Sequence, residues 1–244
     1  MMIDPIAFEV FGIGIRWYGI LISIGLVLGV FIAMRESARL GIDENMILDF
    51  IIFAVPVAVV CARAYYVLFN LSYYGGDIFK MINIRQGGLA IHGAVIGGAA
   101  TAIVYSKYKK IKFWKLADLC APGLILGQAI GRWGNFINKE AHGGPTDLPW
   151  AITINGVGVH PTFLYESLWN LMIFILLMGI KKKKKFDGQL FALYMMLYSL
   201  GRFFIEGLRT DSLMLGDFRI AQLVSLAMLV AGAGFYIMKN REKI

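Results

Sequence analysis

Apolar residues run along this chain in long blocks separated by short polar breaks. Seven blocks can be marked, at about Trp17 to Met34, Met46 to Phe69, Gly88 to Tyr105, Leu116 to Ile130, Pro161 to Ile180, Gly188 to Leu208 and Phe218 to Met238. A helix rising about 1.5 Å per residue needs roughly 20 apolar residues to cross about 30 Å of hydrocarbon. Each block therefore predicts a membrane-spanning helix, the fourth only if its ends extend beyond the apolar run. Pairs of small residues four apart recur at Gly25/Gly29, Gly93/Gly97 and Gly127/Gly131, a spacing that lets helices approach closely. The halves show no repeat and no matching pair of broken helices, which weighs against a secondary transporter.

Basic residues orient the helices. Most of the 24 Lys and Arg follow blocks one, three, five and seven: Arg35 and Arg39; Lys107, Lys109, Lys110, Lys112 and Lys115; Lys181 to Lys185; and Lys239, Arg241 and Lys243. Positive flanks face the cytoplasm, so the amino terminus is expected outside and the carboxyl terminus inside. The three outward connections are then Asn70 to Gly87, Gly131 to His160 and Arg209 to Asp217. The second is the longest, and Ile152 to Val157 with Asn155-Gly156 at its middle predicts a short hairpin. The expected fold is an all-α integral membrane protein of about seven transmembrane helices with a small outer head, residues 1–244 forming one transmembrane domain.

Composition agrees with this pattern. The chain is 58% hydrophobic and 14% aromatic, with a mean hydropathy of +0.67, outside the range of an ordinary soluble domain. A net charge of +8 does not signal nucleic-acid binding, because the pentalysine Lys181 to Lys185 directly follows an apolar block and interleaves no aromatics. Cys61 and Cys120 both lie within apolar blocks without disulfide or zinc spacing, and read as buried structural thiols. Met1 to Pro5 is acidic where a signal peptide would be basic, so the first block is expected to remain uncleaved.

Ionisable groups inside a span are costly, so their depth carries information. Arg16 and Tyr18 open the first span, Arg63 lies near the outer end of the second, and His92 opens the third between glycines. Arg132 follows the fourth, Tyr165 and Glu166 enter the fifth, and Arg202, Glu206 and Arg209 end the sixth. Six helices thus bring polar groups to one level near the outer leaflet. Arg202, Glu206 and Arg209 share a helix face that can hold an anion between two guanidinium groups. Glu206 serves equally well there as a catalytic group or as a partner that locks the bundle. The densest polar stretch is Gly131 to Gly144, which reads as a loop after the fourth span and offers Arg132, Asn135, Asn138, Glu140 and His142. His142 and His160 are weaker candidates than His92. No metal-ligand, Gly-x-Ser-x-Gly or phosphate-loop motif occurs. Arginines recognise phosphate, lipid headgroups are the nearest phosphates, and no activated nucleophile is present, so the attacking group is expected to belong to a substrate.

Gly131-Arg132-x-Gly134-Asn135-Phe136-Ile137-Asn138-x-Glu140-x-x-Gly143 resembles the signature of the bacterial phosphatidylglycerol:prolipoprotein diacylglyceryl transferases. Four further blocks agree in order: Arg16-Trp17-Tyr18-Gly19, Gly87 to Gly93, His160-Pro161-Thr162-x-Leu164-Tyr165-Glu166, and Arg202-x-x-x-Glu206-x-x-Arg209. The resemblance covers essentially the whole chain. It implies transfer of diacylglyceryl from phosphatidylglycerol to the lipobox cysteine thiol of a prolipoprotein signal peptide, in the bacterial cytoplasmic membrane and without a cofactor or metal. By motif position it implies Arg132 and Arg202 as essential arginines, His92 as the histidine, Glu140 as the signature carboxylate, and Tyr18, Asn135 and Gly143 as further functional positions. The chemistry then gives His92, Arg132, Glu140 and Arg202 as the expected catalytic residues, and Arg132, Asn135, Tyr18, Gly143 and Arg209 as lipid-binding, with Glu206 and Arg63 in support. His92 is the first choice of base and Glu140 the second. The outer head is shorter than in larger members.

Overall fold

A computed structural model describes residues 3–84 and 87–242. Met1 and Met2 of the acidic amino terminus, positions 85 and 86 of the first outward connection, and Lys243 of the last basic flank lie outside the described residues. The chain begins with a hairpin, β1 (Ile6–Val10) and β2 (Ile13–Arg16), and continues through α1 (Trp17–Arg39), α2 (Asn45–Phe69), α3 (Leu71–Tyr74), α4 (Ile78–Ile82), α5 (Ile91–Tyr108) and α6 (Phe113–Asn138). The hairpin β3 (Ile152–Ile154) and β4 (Val157–Val159) follows. Then come α7 (Thr162–Ile180), extended by a 3-10 turn at Lys181–Lys183, α8 (Gln189–Glu206), the hairpin β5 (Met214–Leu215) and β6 (Phe218–Arg219), and α9 (Ile220–Arg241).

The seven long helices coincide with the seven apolar blocks. Four stretches, Trp17–Arg39, Asn45–Phe69, Thr162–Lys183 and Ile220–Arg241, are long and apolar enough by themselves to cross a membrane. Large apolar side chains stand exposed on all seven, including Val95 and Val104 on α5, Leu124 and Trp133 on α6, and Phe204 on α8.

One expectation needs correction. The fourth helix does not stop at Ile130 but continues through the signature to Asn138. It ends where Lys139 adopts a left-handed φ of 57°, with Lys139 N donating to Phe136 O at 3.1 Å and Glu140 N to Asn135 O at 3.0 Å. That pair of bonds satisfies the last carbonyls of the helix, so Arg132 and Asn135 are helical rather than loop residues. The fold is mostly helical, as expected, and among the described residues the connections add three two-stranded antiparallel hairpins. The middle one turns at Asn155-Gly156, both at positive φ, as the sequence predicts. The first turns at Phe11-Gly12 with φ of 49° and 75°, a conformation for which Phe11 gives no sequence cue.

Two compact units are formed, Met1–Ala33 with Asp118–Ile244, and Met34–Ala117. In the first, α1 and α6 meet through glycine. A Cβ on Gly25 would lie 2.9 Å from Gly127 Cα, and one on Gly29 would lie 3.2 Å from Gly123 Cα, so the facing pair on α6 is Gly123/Gly127 rather than Gly127/Gly131. Below the polar level, Ala121 and Ile125 of α6, Ile173 and Leu177 of α7, and Leu190 and Tyr194 of α8 form one buried cluster. At the opposite end of α6 from the signature, buried Asp118 accepts from Lys184 Nζ at 2.9 Å, Gly188 N at 2.8 Å and Phe191 N at 3.0 Å. It caps the free amides at the start of α8 and ties one lysine of the pentalysine to the fold.

In the second unit, α2 and α5 pack side by side. Cβ atoms on Gly93 and Gly97 would fall 2.3 Å from Cys61 O and 2.8 Å from Cys61 Cβ, so only glycine permits this approach. Tyr105 donates to Met46 O at 2.7 Å, and Lys109 pairs with Asp49 at 2.9 Å.

Candidate functional site

The polar level of the first unit is built on α6, α7 and α8. Glu166, one turn into α7, is almost fully buried and pairs with Arg132 through Oε2 and with Arg202 through Oε1. Arg202 also reaches Glu206 Oε2 at 2.6 Å, from which Arg209 Nε lies 3.9 Å away. Arg209 then forms a two-pronged bond to Asp211 at 2.9 and 2.7 Å. Charges alternate along the row Arg132, Glu166, Arg202, Glu206, Arg209 and Asp211. The anion between two guanidinium groups is therefore a carboxylate of the protein itself.

Of the residues expected at the site, Arg132, Arg202, Glu206 and Arg209 share this row, and Glu166, which the sequence places at the same level but gives no role, stands at its centre. The signal was present. Glu166 is an acid within the apolar α7, where a lone carboxylate is costly, and only its partners on two other helices reveal its place at the centre.

Arg132 contacts Glu166 through Nε. Among the described residues its two terminal nitrogens make no hydrogen bond, and its side chain is 21% exposed. Those nitrogens are the planar fork that suits a phosphate. Arg209 and Asp211 reinforce each other at the edge of the site. The guanidinium beside Asp211 holds its carboxyl below the usual range. For Arg209, burial opposes the charge, but the bond to Asp211 and the charges of Asp211, Glu206 and Glu166 raise its pKa above its ordinary value.

Helical continuity of the signature arranges its remaining residues. Gly134 sits under the Tyr18 ring, and a Cβ there would lie 2.2 Å from Tyr18 Cδ2. Trp133 donates to Ser167 Oγ at 3.1 Å, and Phe136 stacks on Phe163 at 4.6 Å between centroids, so α6 and α7 are fastened beside the arginine row. Glu140 Oε1 accepts from Asn135 Nδ2 at 3.0 Å and Asn138 Nδ2 at 3.2 Å. The signature carboxylate thus holds the two signature amides.

Gly143 lies where three segments converge. Its N donates to His160 O at 2.9 Å, and it bridges to Arg209, while Gly144 N donates to Leu208 O at 3.0 Å. A Cβ on Gly143 would meet His160 Cβ at 2.6 Å and Leu208 O at 3.0 Å. This backbone approach joins the head loop to the end of α8. Of the weaker candidates, His142 donates through Nδ1 to Gly143 O at 3.0 Å. His160 lies 3.4 Å from Tyr165 Oη, which accepts from Trp150 Nε1 at 2.8 Å.

His92 and Arg63 belong to the second unit. His92 is exposed in the first turn of α5 and stacks on Tyr65 at 5.8 Å. Arg63 is buried. It donates to Met81 O at 2.7 Å, Gly87 O at 2.7 Å, Gly88 O at 2.9 Å and Lys80 O at 2.8 Å. Its guanidinium therefore gathers the segment that leads into His92. Cys61 and Cys120 are half-buried free thiols. Among the described residues, no group of three His, Cys, Asp or Glu is placed to hold a metal ion.

The family described as prolipoprotein diacylglyceryl transferase matches residues 5–238. The chain is 54% identical to the phosphatidylglycerol–prolipoprotein diacylglyceryl transferase of Clostridioides difficile (strain 630), covering 98% of this chain and 97% of that protein. It is 53% identical to the enzyme of the same name from Finegoldia magna, covering 99% and 98%. With the one from Bacillus cytotoxicus the identity is 49%, covering 98% and 93%.

Proposed function

Because the chain belongs to the prolipoprotein diacylglyceryl transferase family, we propose that it moves the diacylglyceryl group of phosphatidylglycerol onto the lipobox cysteine thiol of a prolipoprotein signal peptide. A thioether forms and glycerol 1-phosphate leaves, the first step of bacterial lipoprotein maturation. The observation that carries the reading at the residue level is the alternating row from Arg132 to Arg209, with the fork of Arg132 still available to a phosphate.

The sulfur attacks the glyceryl carbon that bears the phosphate. The carbon–oxygen bond breaks, and its electron pair stays on the phosphate oxygen. A thiol with a pKa of about 8.5 is mostly protonated at neutral pH, so a base assists. His92 takes that proton as the first choice and Glu140 as the second, although Glu140 also orients Asn135 and Asn138. Arg132 and Arg202 stabilise the charge that grows on the leaving phosphate, in surroundings where a fixed cation is worth more than in water. Asn135 and Tyr18 orient the headgroup, Gly143 permits the loop's close approach, and Arg209 and Glu206 keep Arg202 aligned. Arg63 supports His92 through the segment it holds.

In this reading all seven long helices span the bacterial cytoplasmic membrane, with the amino terminus outside, the carboxyl terminus in the cytoplasm and the active site towards the outer leaflet. Exposed apolar side chains on every one of the seven and lysine-rich flanks at alternate connections support it. Residues 1–244 act as one transmembrane catalytic domain whose partners are membrane phosphatidylglycerol and the signal peptide. The test is to incubate the purified protein with phosphatidylglycerol and a lipobox peptide and to look by mass for the diacylglyceryl thioether. A bound but unreacted lipid, with no thioether, would overturn the proposal.

A further inference from the structure

Immediately behind the arginine row lies a second, uncharged polar layer. Gln128 is one turn from Arg132 on α6, and Asn170 is one turn from Glu166 on α7, both in the direction away from the head loop. The two helices are held together on either side of this layer. Arg132 pairs with Glu166 on one side, and Ile125 and Ile173 share the buried cluster on the other. Ser167 Oγ donates across the same interface to Ala129 O at 2.9 Å.

Asn170 is 1% exposed. Among the described residues, its Nδ2 and the Oε1 of Gln128 are buried without a hydrogen-bond partner. One is a donor and the other an acceptor. Gln128 Nε2 donates to Tyr194 Oη at 2.9 Å, which leaves the phenol's own proton to be given elsewhere. Buried amide groups without partners cost free energy that native folds avoid.

We propose that this layer binds one water molecule, which accepts from Asn170 Nδ2 and Tyr194 Oη and donates to Gln128 Oε1. The chemistry selects water over other occupants. An ester carbonyl or a phosphate oxygen only accepts and would leave Gln128 Oε1 unmet, and a cationic ammonium only donates. Asn170 is closed off from bulk solvent, and water is the usual partner of buried polar groups that lack one. Three bonds are the usual complement of a buried water. The molecule ties α6 to α7 one turn behind Arg132 and Glu166. It is independent of the reaction assigned to the site in front of it.

Two measurements on the full-length protein test this. A density map fine enough to show ordered water should contain a peak about 2.7–3.2 Å from both Asn170 Nδ2 and Gln128 Oε1. Two amides bonded directly to each other, or a lipid group between them, would overturn the proposal. Secondly, Asn170→Leu and Gln128→Leu are each expected to lower the folded-to-unfolded ratio in detergent by about five-fold or more, because each strands the other amide. The double variant should lose no more than the worse single one. Additive losses would count against a shared water. If a single variant is not recovered in folded form, the wild-type map decides.

Discussion

Arg202 holds Glu166 through Nη1 and Glu206 through Nη2, the latter at 2.6 Å. One planar group thereby joins α7 to its own helix, with its two ends committed to different carboxylates. A lysine offers a single point charge on a flexible stem and cannot span both. Arg202→Lys is expected to lower diacylglyceryl transfer by about 100-fold or more. Transfer measured on the purified variant with labelled lipid checks this, and retention of most activity would show that the bridge is dispensable.

Adjacent glycines in the head loop should behave differently. A Cβ on Gly143 meets His160 Cβ at 2.6 Å and Leu208 O at 3.0 Å, whereas one on Gly144 meets only Thr210 Cγ2 at 3.9 Å. Gly143→Ala must push two backbone segments apart, at a cost of about 1–3 kcal/mol, and should lose transfer activity. Gly144→Ala should stay near wild type in both. Thermal unfolding and transfer assays on the pair measure the contrast.

How much of this was legible beforehand depended on whether a residue's meaning lay in its own segment. Seven helices could be read because each apolar block carries its own signal. The turn at Asn155-Gly156 could be read because its residues tolerate positive φ. The end of α6 could not. Gly131, Gly134 and several polar side chains look like a loop, yet Gly134 is there to admit the Tyr18 ring, and the helix ends only at Lys139 in an unfavoured conformation. Glu166 was similarly hidden, since its partners Arg132 and Arg202 are 34 and 36 positions away on other helices. The resemblance quoted Glu166 within a motif without revealing that it stands at the centre of the row.

Asp211 provides a pH signature. Its carboxyl titrates below the ordinary value because Arg209 donates to it. A group with a lowered folded pKa adds stability that is present above the unfolded pKa, about 3.9, and is lost as pH falls through the folded value. Wild type should therefore be more stable than Asp211→Asn at neutral pH, and the difference should shrink to nothing in acid below that range. Unfolding followed against pH for both proteins tests the sign. A difference that grows in acid would contradict it.

His92 stands exposed in the first turn of α5 against Tyr65, so its removal should leave the helix packing intact. His92→Gln is expected to slow the single-turnover chemical step by about 100-fold or more while changing phosphatidylglycerol binding little. An unchanged single-turnover rate would pass the base to Glu140.

The central claim is that the fork of Arg132 takes the phosphate that leaves. Arg132→Lys keeps the charge beside Glu166 but removes the fork. Transfer of labelled diacylglyceryl to a lipobox peptide, measured on folded Arg132→Lys protein, is predicted to fall by about 100-fold or more. Near-normal transfer by that variant would contradict the account.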